Sequence, residues 1–101
     1  MSVKLQSAIE KEILRPLWKV HILYHAGEAP IVGNWMLEEL REHGYRVSPG
    51  TLYPLLGRMV RLGWLGRSRD GRYRLTVAGR KTLTEVRTRL RELQGEVSPK
   101  Y

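Results

Sequence analysis

The sequence predicts a mainly α-helical chain with one small β-hairpin, arranged as a winged helix-turn-helix with a C-terminal dimerisation helix. Three observations carry that expectation. Ser48-Pro49 opens a pattern in which Leu52, Leu55, Leu56, Met59 and Leu62 recur at i, i+3, i+4, i+7 and i+10, one face of a helix. Asp70-Gly71 then joins two short runs of hairpin character. The charge is also lopsided. Of 18 Lys/Arg and 10 Asp/Glu, residues 44–81 hold nine basic side chains and a single acid, so the whole formal excess of +8 lies on them. A localised positive field on a helix and a hairpin is the electrostatic footprint of a duplex-binding surface.

A chain of 101 residues, 42% of them hydrophobic, suits one domain. It buries about 65% of its unfolded surface, enough for one modest core. That core must be Leu, Ile, Val and Trp, because Phe is absent. Zero cysteines exclude disulfides, thiolate metal sites and cysteine nucleophiles together. The charged start, M-S-V-K-L-Q-S-A-I-E-K-E, does not read as a signal peptide. No run approaches the ~20 apolar residues of a membrane span, so a cytoplasmic protein is expected.

Residues 3 to 26 read as helix, with Leu5, Ile9, Ile13, Leu17, Val20 and Tyr24 at helical spacing. Pro16 predicts a kink, or a break at which it opens a second segment. Gly27 is the expected C-cap. A second helix is expected from about Ile31 to His43, burying Val32, Met36, Leu37 and Leu40. In the third helix Ser48 is the N-cap, its oxygen available to the first-turn N–H groups. The face opposite its leucines presents Gly50, Pro54, Gly57 and Arg61, flanked by Tyr53 and Arg58. Small residues between basic and phenolic rims let a helix backbone sit deep in a groove. Pro54 leaves the Gly50 carbonyl without its helical partner, tolerable near the helix start.

The hairpin strands are expected at Trp64 to Arg69 and Arg72 to Thr76, joined by a two-residue type I′ turn. That turn pairs Arg69 with Arg72 and Arg67 with Arg74, putting four arginines on one face, with Tyr73 and Leu75 toward the core. A row of phosphates opposite would turn their mutual repulsion into attraction. Thr76 caps the last helix, whose Leu83, Val86, Leu90, Leu93 and Val97 follow the 3-4-3-4 spacing of a coiled-coil seam. The domain reading is residues 1–76 as the winged unit, N-terminal helix included, and 77–97 as the dimerisation helix packed into the same domain.

The order of elements, with V-S-P-G-T-L-Y-P-L-L-G-R-M (47–59), L-G-W-L (62–65) and Y-R-L-T-V-A-G-R (73–80), resembles the PadR family of bacterial transcriptional regulators. I-L-Y-H-A-G-E-A-P-I-V-G-N-W-M (22–36) is a weaker match. The resemblance implies a homodimeric repressor whose third helix enters the major groove and whose wing touches the DNA backbone or minor groove. It implies dimerisation through the C-terminal helix, aided by the first, as in the short-tailed branch of the family. Ser48, Pro49, Gly50, Thr51, Tyr53 and Pro54 fall on the motif that contacts DNA. The chain departs from the family at Asn34-Trp35, where Tyr-Glu is usual, at Gly57, where a larger and often basic residue is common, and at Met59-Val60, in place of Leu-Glu.

The DNA-binding set is therefore Ser48, Pro49, Gly50, Thr51, Tyr53, Pro54, Arg58, Arg61, Arg67, Arg69, Arg72 and Arg74. The dimer set is Leu83, Val86, Leu90, Leu93 and Val97. The expected function is a sequence-specific repressor acting on an inverted repeat. The alternative is a winged-helix module meeting RNA or an acidic protein through its hairpin, disfavoured because A-form RNA offers side chains no readable major groove. No phosphate loop, nucleophile elbow or metal-hydrolase motif supports an enzyme, and no cofactor is expected. Trp18 and Trp35 are candidate walls of a small-molecule effector pocket near the dimer interface, although packing is the stronger reading of such large apolar rings. His21 and His25, at i and i+4 with Glu28 nearby, have a spacing that can hold a metal. Two ligands without a third on the helix make a poor site, so they read as structural or surface histidines.

Overall fold

A computed structural model describes residues 3 to 99. Helix α1 (Val3–Ile9) passes through one π-helical turn (Glu10–Leu14) and one 3₁₀ turn (Arg15–Leu17) into α2 (Trp18–Glu28). Pro16 explains the change of winding. It has no N–H, and its ring crowds the carbonyl four residues back, so the regular α-helical bonding is interrupted here. The Arg15 N–H reaches back to the Glu10 carbonyl instead. The Glu10 carboxylate is buried and accepts the Arg46 N–H at 3.1 Å, tying the N-terminal segment to the chain just before Ser48. Gly27 lies inside α2, which runs one residue past it and is capped at Ala29.

Helix α3 (Gly33–Glu42) buries Met36, Leu37 and Leu40 as expected, but starts two residues later than the sequence suggests. Val32, expected inside, is 46% exposed, whereas Ile31 is buried. The cause lies far off in sequence. Ile31 and Tyr73 exchange both backbone hydrogen bonds, at 2.8 and 2.9 Å, so residues 31–32 are extended and alternate sides.

Helix α4 (Pro49–Arg61) places Leu52, Leu55, Leu56 and Met59 in the core, against Trp18, Ile22 and Met36. Leu62, which extends the apolar pattern by one turn, is the C-cap residue and half exposed. Ser48 is the N-cap by backbone, its carbonyl accepting the Thr51 and Leu52 N–H groups. Its hydroxyl bonds to the Thr51 hydroxyl at 3.1 Å and not to a first-turn N–H.

Strands β1 (Leu65–Arg67) and β2 (Tyr73–Leu75) pair Leu65 with Leu75, Gly66 with Arg74, and Arg67 with Tyr73. This register differs by one residue from the expected one. A type I′ turn needs φ > 0 at both Asp70 and Gly71, and only Gly71 (φ +83°) takes it. The chain instead closes a turn from the Gly71 N–H to the Ser68 carbonyl (3.0 Å), and Ser68 pairs with the Arg72 carbonyl (2.9 Å). One left-handed glycine replaces two left-handed residues, which spares Asp70 the Cβ clash. Asp70 instead accepts the Ser68 hydroxyl and the Arg72 N–H, and these bonds hold its carboxyl below its ordinary range.

Helix α5 (Val77–Val97) begins at Thr76, whose Oγ1 accepts the Gly79 N–H at 2.9 Å and donates to the Gly63 carbonyl at 2.5 Å. Both ends of one hydroxyl are used, joining the wing, the exit of α4 and the start of α5. Thr76→Ala is expected to cost about 1 to 2 kcal/mol. A thermal melt should show this as a drop of roughly 4 to 16 °C for a domain of this size; an unchanged midpoint would remove the cap from the account. Leu83 is buried in the chain's own core. Beyond it α5 leaves the domain: Leu90, Leu93 and Val97 are 37, 53 and 62% exposed.

Candidate nucleic-acid interface

The outer face of α4 emerges as the leucine spacing requires. Ser48, Pro49, Gly50, Tyr53, Pro54, Arg58 and Arg61 are exposed, with Thr51 and Gly57 at the margins. Pro54 sits one and a half turns into the helix without breaking it, since the carbonyl it frees lies on the outer face among exposed residues. The Arg61 side chain lies along the helix toward Gly57, 3.5 Å from where a Cβ there would stand. Tyr53 is 40% exposed and donates its hydroxyl to Asn34 Oδ1 at 3.0 Å, with its ring against Gly33. It therefore has a partner on α3 and is held in place by it.

The hairpin arginines do not form the single row expected of them. Because the register is displaced by one residue, the faces redistribute. Arg67 stands opposite Tyr73 and stacks on its ring, 5.4 Å from the centroid, whereas Arg74 lies on the other face beside Gly66. Arg69 and Arg72 are in the loop, where Arg72 meets Asp70 at 3.6 Å. Such an exposed pair adds little to stability. Among the described residues no carboxylate lies within salt-bridge distance of Arg58, Arg61, Arg67, Arg69 or Arg74. The positive field of this surface is therefore not cancelled within the chain.

The fold adds basic groups from distant elements. Arg15, Arg41 and Arg46 surround a concave surface beside Ser48 and Thr51 at the start of α4. Arg41 is held there by its Nε–H bond to the Val47 carbonyl (3.1 Å). Nothing local in the sequence marks Arg15 or Arg41, because they come from other helices. The two tryptophans part company. Trp18 is fully buried in the core. Trp35 is 48% exposed and walls a groove with Tyr24, Glu28, Ile31 and Arg72.

The chain has known relatives. Residues 22–85, from α2 through the first turns of α5, match the model of the transcriptional regulator PadR-like family. The chain belongs to the PadR-like family of transcriptional regulators. Over 94 residues this PadR-like chain is 49% identical to transcriptional regulator Rv3488 of Mycobacterium tuberculosis, covering 86% of itself and 88% of that relative. Its fold matches a PadR-like transcription factor from Bacteroides fragilis with a TM-score of 0.71 at 26% identity, over 88% of this chain and 94% of that one. A PadR-like transcriptional regulator from Bacillus cereus matches with a TM-score of 0.74 at 27% identity, over 85% and 92% of the two chains. The family comprises regulators and not enzymes, in agreement with the absence of catalytic motifs. Among the described residues no helix is long and apolar enough to cross a membrane.

Proposed function

We propose that this PadR-like chain is a cytoplasmic, homodimeric repressor that binds inverted-repeat duplex DNA. In this reading α4 lies in the major groove and the hairpin rests on the phosphate backbone. The observation that carries it is the outer face of α4. Its small centre and basic, phenolic rims suit close approach to a groove, and among the described residues Arg58, Arg61, Arg67, Arg69 and Arg74 have no carboxylate within salt-bridge distance, while Arg72 meets Asp70 and Arg41 meets Glu38. Ser48, Pro49, Gly50, Thr51, Tyr53, Pro54, Arg58 and Arg61 approach the bases and the flanking phosphates. Arg67, Arg69, Arg72 and Arg74 serve the backbone from both faces and the tip of the wing, and Arg15, Arg41 and Arg46 extend the same field.

Dimerisation uses the part of α5 that leaves the domain, Val86, Leu90, Leu93 and Val97, with Leu83 anchoring the seam in the chain's own core. Leu17, Val20 and Leu90 line an apolar groove between α2 and α5 in which a second copy can seat its own seam. Of the two tryptophans, Trp35 is the one left open to a small-molecule effector, since Trp18 is core.

Selection from a random duplex pool should return a palindrome with half-sites ~34 to 36 Å apart, or a multiple of that. RNA of equal length should compete poorly. RNA binding at equal affinity, or a single asymmetric half-site bound by a monomer, would overturn the reading. Arg69→Ala and Arg74→Ala should weaken specific and random duplexes alike. Each should lower the log–log salt slope by about 0.9 for every phosphate that the arginine neutralises, in each of the two subunits. A salt slope that does not move would take the wing off the DNA.

A further inference from the structure

The chain has three histidines, and the fold brings all three together. His21 and His25 stand one turn apart on α2, and His43 caps the end of α3. One ligand nitrogen from each lies within 4.8 Å of the others. Glu39, one turn before His43 on α3, completes the group: its Oε1 is 3.4 Å from His25 Nε2 and 3.4 Å from His43 Nε2. Glu28, the acid nearest the histidine pair in sequence, takes no part and accepts the Tyr24 hydroxyl instead.

We propose that His21, His25, Glu39 and His43 form a binding site for a divalent transition-metal ion of the zinc class. Zinc takes imidazole nitrogen at about 2.0–2.1 Å and carboxylate oxygen at about 2.0–2.2 Å, usually from four ligands. Ligands at those bond lengths stand about 3.4 Å apart on the edges of a tetrahedron, the spacing Glu39 already keeps from two histidines. From that 4.8 Å limit the histidine nitrogens need to close by at most about 1.4 Å to reach this spacing, within the reach of side-chain rotation. Three imidazoles and one carboxylate favour zinc, cobalt or nickel over magnesium or calcium, which take oxygen.

The surroundings suit such a site. His21 is oriented by a 2.8 Å hydrogen bond between its Nε2 and the Tyr45 hydroxyl, the kind of outer contact that fixes a metal-binding ring. His25 and Glu39 are mostly covered, with side chains 18 and 22% exposed, while His43 at 48% leaves a way in from solvent. An ion there joins α2 to the end of α3, next to Tyr45 and the approach to α4.

Zinc titration of the metal-free full chain by calorimetry is expected to show one ion per chain. In NMR spectra the ring signals of all three histidines should shift together and be complete at one equivalent. His43→Gln removes an exposed ligand and should weaken zinc binding by more than about 100-fold, with Glu39→Gln at least about 10-fold weaker. Glu28→Gln should bind as the parent does, and circular dichroism should confirm that every variant is folded. The proposal is overturned if His43→Gln binds as tightly as the parent, if the three rings shift independently, or if one ion is shared between two chains. Should His43→Gln fail to fold, unchanged zinc affinity of Glu39→Gln would overturn it equally.

Discussion

Leu90→Asp is expected to turn the proposed dimer into a monomer and to lower affinity for the proposed inverted-repeat DNA site by two to four orders of magnitude. Leu90 sits on the part of α5 beyond the core, between the buried Leu83 and the exposed Leu93 and Val97. An aspartate there must either enter an apolar contact unpaired, at prohibitive cost, or hold the two helices apart. The monomer should keep its helical circular dichroism, because Leu90 belongs to none of the core packing around Trp18 and Leu56. The loss in DNA affinity is of avidity: two half-site contacts no longer act at high effective concentration, a factor of about 10² to 10⁴. Sedimentation and a binding isotherm measure both. If the variant unfolds, the seam belongs to the domain's own core; if it sediments as a dimer, another segment carries the interface.

The second large effect is expected at Gly79. A Cβ at this position would overlap the Trp64 carbonyl oxygen and stand 2.6 Å from Leu75 Cδ1. The leucine can turn aside, but the carbonyl is backbone at the exit of α4, and it also receives the Thr76 N–H at 3.1 Å. Gly79→Ala must therefore push the first turn of α5 away from the wing. The cost should exceed the ordinary 1 to 3 kcal/mol of overpacking, approaching ~4 kcal/mol. A thermal melt should fall by roughly 15 °C or more. A shift of only a few degrees would mean that the α5–wing junction yields more easily than its contacts suggest.

These two positions show how far a sequence carries. Helix α4, the cap at Thr76 and helix α5 were legible because each is written in local spacing, three or four residues at a time. Gly79 was visible as part of a motif, although its reason, a carbonyl fifteen residues away, was not. All but one of the failures share a cause, a partner distant in sequence. Val32 read as buried because a bridge from Ile31 to Tyr73 cannot be seen from either end. The wing register slipped because Asp-Gly suits two turn geometries, and the Ser68 and Arg72 contacts to Asp70 favour the one with a single left-handed residue. That slip matters functionally, since it splits a supposed row of four arginines between two faces and a loop. The histidines read as a pair because their partners lie on the next helix. Arg15 and Arg41 were invisible as part of the basic surface for the same reason.

The contact between Tyr53 and α3 bears on how such a protein could be re-targeted. The ring fills the space above Gly33, where a Cβ would stand 2.5 Å from its nearest carbon, and the hydroxyl is held by Asn34. A donor α4 without tyrosine at this position would leave a hollow over Gly33. A donor α3 with any side chain at residue 33 would evict Tyr53 from its seat. The transplantable unit for a chimera of altered sequence preference is thus the pair α3 and α4, carried across together with the residues between them.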